Sequence, residues 1–193
     1  MVSFNMDQSS ILIVCTGNIC RSPMAEGFLK AKFKKFKLDY SVSSAGLITQ
    51  GRTPPSEAIE AMSRYGIDIT KHVSRLVESI DLDNFDLILG MAKEHVREVA
   101  IINKDKLNCS FTIKEFVKRA YTVGPKRESE PIEDWLKLVG HGRSTSDLLG
   151  ADLRLDVVDP FDKGGDAFHD VATELDSLTT EVVNFLRDVP PVN

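Results

Sequence analysis

No stretch of the 193-residue chain approaches the ~20 consecutive apolar residues of a membrane span. The start, Met1 to Ser10, is polar, and the apolar run behind it, Ile11 to Val14, is too short for the core of a secretory signal. Cysteine is scarce: three residues in a chain this long do not make a secreted disulfide framework. These absences point to a reducing, cytoplasmic setting with no membrane partner. Histidine is sparse too. His72, His95, His141 and His169 lack ligand partners at useful spacing, so neither a metal nor another cofactor is expected. Positive charge is not in excess. A net charge of −5 argues against a nucleic-acid partner, although a local pocket can still be positive and take an anion. There is no internal repeat and no low-complexity tract.

What is present fits one compact domain. The 42% hydrophobic and 27% charged content is ordinary, and this length buries a core without disulfides or metal. A single domain over 1–193, favoured as a monomer, is expected.

Ile11-Leu12-Ile13-Val14 is a β-branched apolar run suited to a buried parallel strand. After a loop from Cys15 to Arg21, Ser22-Pro23 supplies an N-cap and a first-turn proline. The helix that follows continues through Phe36, with Met24, Phe28, Leu29, Phe33 and Phe36 at helical spacing. Its lysines, Lys30, Lys32, Lys34, Lys35 and Lys37, form a docking patch or, as is commoner, a solvated face. Tyr40 to Ser44, Asp86 to Leu89 and Ser110 to Thr112 read as further strands. Ser56 to Tyr65, Lys93 to Ile102, Ile113 to Arg119 and Asp166 to Arg187 read as helices, the last ending before Pro190-Pro191. This alternation predicts an α/β fold, a doubly wound parallel sheet covered on both faces. Gly124 to Asp156 differs. It is polar and Gly/Ser-rich, and reads as an insertion at about 124–156 with one amphipathic piece at Ile132, Trp135, Leu136 and Val139. Trp135 either lines the pocket or packs the insertion onto the domain, the commoner use of such a residue.

The informative segment is Cys15-Thr16-Gly17-Asn18-Ile19-Cys20-Arg21-Ser22. A cysteine ends a strand, and an arginine stands six positions later at the mouth of a helix. Backbone N–H groups of such a loop, with the helix terminus, form an oxyanion cradle. Gly17 is expected to permit tight curvature. Arg21 can fork two phosphoryl oxygens and stabilise transition-state charge. The same positive field favours a thiolate at Cys15, a nucleophile that needs no general base. Ser22 can donate to the sulfur. Cys-x5-Arg occurs often by chance, but here a strand precedes it, a Ser-Pro helix start follows, and Gly17 and Asn18 lie within it.

Val14 to Glu26 resembles the signature of the low-molecular-weight protein tyrosine phosphatases, and Phe111 to Phe116 with Val158 to Phe161 resembles their bacterial branch, which contains the protein arginine phosphatases. The resemblance extends to Ser44-Ala45-Gly46, Gly66-Ile67-Asp68, His72 to Arg75, Phe85 to Leu89 with Met91, and Asp159-Pro160-Phe161. It implies a three-layer sandwich with a four-stranded parallel sheet, a phosphate loop between the first strand and first helix, and turnover through a phosphocysteine. Thr16, Gly17, Asn18, Ile19, Cys20, Arg21 and Ser22 would bind phosphate. Asn18, Ser22, Ser44 and His72 would shape the loop and activate the sulfur. His72 by residue type alone is as readily a surface histidine.

A phenol of pKa about 10 leaves poorly as an anion, so a tyrosyl phosphatase calls for a carboxylic acid. The resemblance places Asp159 over the loop in that role, although a lone Asp-Pro is usually only a turn. Many family members carry tyrosines directly after it. Phe161 and Asp162 stand there instead, so regulation by tyrosine phosphorylation at that site is not expected.

The expected partner is a phosphorylated protein. Ile19 offers apolar surface to an aryl ring where the arginine-phosphatase branch has a threonine, unless it packs beneath the loop. Leu47, Ile48 and Phe161 are the other expected pocket walls. The alternatives are a protein arginine phosphatase, an arsenate reductase of the same fold, and an inactive phosphoprotein-binding module. The reductase needs further cysteines, and Leu89 to Val99 contains none; Cys109 reads as a core residue. Cys20 either packs as a thiol or forms a reversible disulfide with Cys15.

Overall fold

The computed structural model describes residues 8–148 and 153–187. Residues 149–152 of the 124–156 segment and the expected stop at Pro190-Pro191 lie outside the described residues.

Four strands, β1 (Ser9–Cys15), β2 (Tyr40–Gly46), β3 (Leu87–Gly90) and β4 (Ser110–Thr112), form one sheet in the order β2-β1-β3-β4. All neighbours are parallel. Side chains of β1 alternate between two apolar layers, as the period of two demands. Ile11, Ile13 and Cys15 face one core, while Leu12 and Val14 face the other. Both sets are fully buried, which is why the strand reads as an unbroken hydrophobic run.

The larger core is covered by α1 (Arg21–Phe36), α2 (Ser56–Ser63), α4 (Ile113–Val123), α5 (Ile132–Val139) and α6 (Gly165–Leu186). The smaller lies under α3 (Lys93–Ile102), through Val99, and under the short 3₁₀ turns that carry Val77 and Leu82. The result is the three-layer α/β sandwich implied above.

Several expectations needed adjustment. Helix α4 runs past Arg119 to Val123, and Thr112 caps it by accepting from the Glu115 N–H. Phe36 is not a core residue: it is exposed at the end of α1, with the Arg187 guanidinium over its ring. The N-cap of α1 is Cys20, not Ser22, so the expected Ser-Pro start falls two residues too late. Lys32 does not point wholly to solvent. It pairs with Asp176 of α6 and sits 4.8 Å from the Phe28 ring centroid.

Within 124–156, helix α5 turns Ile132, Trp135, Leu136 and Val139 into the larger core. Trp135 meets Phe116 edge to face at 5.8 Å, and its indole N–H donates to the Gly124 carbonyl. The tryptophan therefore packs the segment down and does not line the pocket. Arg143 reinforces the attachment through both oxygens of Glu115.

Candidate active site

β1 delivers Cys15 to the carboxyl edge of the sheet, and α1 begins at Arg21, after the loop of residues 16–20. With β2 on one side of β1 and β3 on the other, the loop sits where chain direction reverses, the crevice that open α/β sheets use for ligands.

Asn18 organises the loop. Its φ of 50° is left-handed, a conformation asparagine tolerates better than most residues. The tight turn is therefore made at Asn18, while Gly17, credited with it above, has no positive φ. The Asn18 N–H points at the Cys15 sulfur, 3.1 Å away. Its side-chain amide donates to Ser22 Oγ at 2.9 Å and to Ser44 Oγ at 2.8 Å. Its Oδ1 accepts from the Arg75 N–H, and its carbonyl accepts from His72 Nε2 at 2.8 Å. Because Ser22 Oγ already accepts from Asn18, its own proton is free to point at Cys15 Sγ, 2.9 Å away. All four residues of the expected network thus converge on the loop. Gly46 is required by this packing: a Cβ there would lie 2.9 Å from the Asn18 and Gly17 backbone.

Arg21 is buried and anchored on three sides. Nη1 donates to the Val157 carbonyl at 3.2 Å, and Nη2 donates to Thr16 Oγ1 at 3.1 Å and to the carboxylate of Asp159. Asp159 is held by the Phe161 N–H on Oδ1, in the turn chemistry typical of an Asp-Pro step. Asp156, three residues earlier, is committed elsewhere, its Oδ1 accepting from the Lys93 N–H at the start of α3. Asp162 does not line the pocket.

A cavity of about 240 Å³ opens over the sulfur, lined by Cys15, Thr16, Gly17, Ile19, Cys20 and Arg21 of the loop and by Asp159. Ile48 and Phe161, 72% and 50% exposed, form its outer walls together with Thr49 and Arg52. Leu47 is not a wall. It shares the parity of Ala45 and packs under the sheet against the smaller core, which leaves its neighbour Ile48 to face the opening. Burial, then the neighbouring Cys15 and Asp159, pushes the Cys20 thiol up to about 12, so it stays protonated at neutral pH.

Three participants escaped the sequence reading. Thr49 and Arg52 sit in a loop where no periodicity marks orientation. The sequence presents His95 only as an isolated histidine without metal-ligand partners, whereas its buried ring reaches Thr16 Oγ1 at 3.0 Å. Its place four residues after Met91, at the start of a helix rising from a strand's carboxyl end, was the available signal.

A cysteine sulfur met by the Ser22 hydroxyl and the Asn18 N–H stands beside a buried guanidinium at a helix mouth, an arrangement that can hold an oxyanion. The family model for low molecular weight phosphotyrosine protein phosphatase matches residues 10–131, and the chain belongs to that family. A low molecular weight protein tyrosine phosphatase from T. tengcongensis superposes with a TM-score of 0.70 at 32% identity, over 92% of this chain and 99% of that one. A YwlE arginine phosphatase mutant with a phosphorylated active site serine gives 0.67 at 27%, over 90% and 92%. An arsenate reductase from Staphylococcus aureus (strain bovine RF122 / ET3-1) is 40% identical over 89 residues, 46% of this chain. That match spans 64% of the reductase's length.

Proposed function

We propose that this chain hydrolyses phosphotyrosine in proteins through a phosphocysteine intermediate. The observation that carries the reading is one small cavity holding the Cys15 sulfur, the Arg21 fork and the Asp159 carboxyl between apolar walls. Cys15 Sγ attacks phosphorus in line with the departing phenolic oxygen. The S–P bond forms, the P–O bond breaks, and Asp159 gives its proton to the leaving oxygen. Asp159 then takes a proton from water as that water attacks phosphorus, and the S–P bond breaks to release phosphate. Ser22 and the Asn18 N–H stabilise the sulfur as an anion at both ends of the cycle, and Arg21 holds the equatorial oxygens.

Ile19, Ile48 and Phe161 suit a flat aryl ring, and the Arg52 cation at the rim opposes a guanidinium leaving group. These features favour phosphotyrosine over phosphoarginine. A reductase relay is disfavoured by the position of Cys109. It precedes β4, at the sheet edge opposite Cys15 and two strands away, on the order of 15 Å by strand spacing. We read the setting as cytoplasmic and the substrate as a phosphorylated protein; no helix among the described residues is long and apolar enough to cross a membrane. We also read 1–193 as one domain, because the apolar face of α5 shares the main core.

The test is a comparison of kcat/KM for phosphotyrosine and phosphoarginine peptides, with Cys15→Ser as control. Preference for phosphotyrosine and loss of turnover in Cys15→Ser are expected. Preference for phosphoarginine would reassign the leaving group. Inactivity toward both, with phosphopeptide binding retained, would make the chain a binding module.

A further inference from the structure

His95 is fully buried, yet its ring carries two specific hydrogen bonds. At the third position of α3, Nδ1 accepts from the Ala92 N–H at 2.8 Å, closing the first turn of the helix. Because Nδ1 accepts, the proton of the neutral ring is on Nε2. Nε2 therefore donates to Thr16 Oγ1 at 3.0 Å. The same oxygen accepts from Arg21 Nη2 at 3.1 Å, which fills both of its lone pairs. Its own proton then points away, toward Glu94 Oε1 at 3.4 Å. The ring comes this close because Gly90 has no side chain: a Cβ there would stand 3.1 Å from His95 Cβ and 3.0 Å from Val96.

A hydroxyl rotates freely unless its partners fix it. Without the His95 donor, the lone pair aimed at Arg21 is no longer set, and the threonine is free to turn its proton toward the guanidinium. We propose that His95 is a positioning residue that acts through the Thr16 hydroxyl to hold Arg21 in its oxyanion-binding orientation. The proposal rests on Arg21 being the oxyanion clamp. It assigns to the start of α3 a part in the site that the loop of residues 15–21 does not supply by itself. Burial, with Arg21 and Arg97 nearby, lowers the His95 pKa to about 3, which keeps the ring in the required neutral form.

Two amides separate the ring's two bonds. In His95→Asn, the Oδ1 stands in for Nδ1 and can accept from Ala92, but nothing reaches Thr16. In His95→Gln, the amide N–H extends to the depth of Nε2. The measurements are kcat and KM on an aryl phosphate, the affinity for inorganic phosphate by calorimetry, and the melting temperature. His95→Asn should stay folded at the assay temperature and lose about tenfold in kcat and in phosphate affinity, the scale of one misdirected hydrogen bond to a charged group. His95→Gln should melt earlier and stay within about threefold of wild type in both, a change below the scale of a lost hydrogen bond to a charged group. Thr16→Val should match the loss in His95→Asn, and the double variant should lose no more than either alone. Equal activity in the Asn and Gln variants, or losses that multiply in the double, overturns the proposal. If His95→Asn fails to fold, normal phosphate affinity in Thr16→Val overturns it and a loss there with His95→Gln intact sustains it. Should the wild-type chain not turn over the aryl phosphate, the phosphatase reading falls, and the phosphate affinities alone still decide the role of His95.

Discussion

Mild acid should weaken this fold through His95. Burial is the largest cause that takes the histidine from 6.5 to about 3, and the charges of Arg21 and Arg97 add to it. Glu94 opposes them, with Oε1 3.3 Å from Nε2, but its side chain is half exposed and water screens it. Asp156 and Asp159 line the same cleft as Glu94, and each is already engaged, by the Lys93 N–H and by Arg21. The unfolded chain takes up a proton near 6.5 that the folded chain refuses until about 3. Stability is therefore full above pH 6.5 and falls as the pH drops through that window. Between pH 7 and pH 5 the loss from this single residue is about 2 kcal/mol, before most carboxylates begin to titrate. The assay is urea unfolding at pH 7, 6 and 5 for wild type and His95→Asn. The variant lacks the titrating ring, so its stability should fall by about 2 kcal/mol less over the same interval. Parallel curves for the two proteins would falsify the argument, because they would mean that His95 is as free to protonate in the fold as out of it.

Arg21→Lys keeps the charge but loses the planar fork, so kcat should fall at least about a hundredfold; a normal kcat would show that charge alone suffices. Asp159→Ala should slow single-turnover phosphocysteine formation from phosphotyrosine far more than from an activated aryl phosphate, whose phenol leaves unaided. If Asp156→Ala or Asp162→Ala shows that leaving-group dependence instead, the acid is the wrong aspartate. Ile19→Thr adds a hydroxyl to the cavity wall and should narrow the preference for phosphotyrosine over phosphoarginine; an unchanged kcat/KM ratio would remove Ile19 from the leaving-group side. Trp135→Ala opens a void between α4 and α5 and should cost about 3–5 kcal/mol in chemical denaturation, with a smaller figure showing that α5 is loosely held.

The inner strands were legible because a parallel sheet buried on both faces writes itself as short apolar runs, and Ile11 to Val14 and Leu87 to Leu89 fall within the observed elements. The loop was legible because its chemistry is local: Cys15, Asn18, Arg21 and Ser22 lie within eight consecutive residues. The errors share a different cause. Ser22 reads as a helix cap in sequence, but the sulfur and Asn18 claim its hydroxyl, and capping loses to that tertiary demand. Leu47 and Ile48 differ only in parity, which a run of two residues beyond a strand cannot reveal. His95 is 79 residues from Thr16 in the chain, and a histidine within a helix pattern gives no sign of which turn it will face.

The pairing of Arg21 with Asp159 has a kinetic side. On the proposed reading of Arg21 as the oxyanion clamp, Nη2 cannot give the same hydrogen to a dianion and to the aspartate, so an oxyanion held through that nitrogen displaces the carboxylate. The measured affinity for any oxyanion is then a net exchange, weaker than the contacts alone suggest. The exchange runs in both directions. When inorganic phosphate is left in the loop, Asp159 competes for the guanidinium at the effective concentration of a tethered group, and its return helps to drive the anion out. On that reading, product phosphate bound through Nη2 faces a rival tethered within reach.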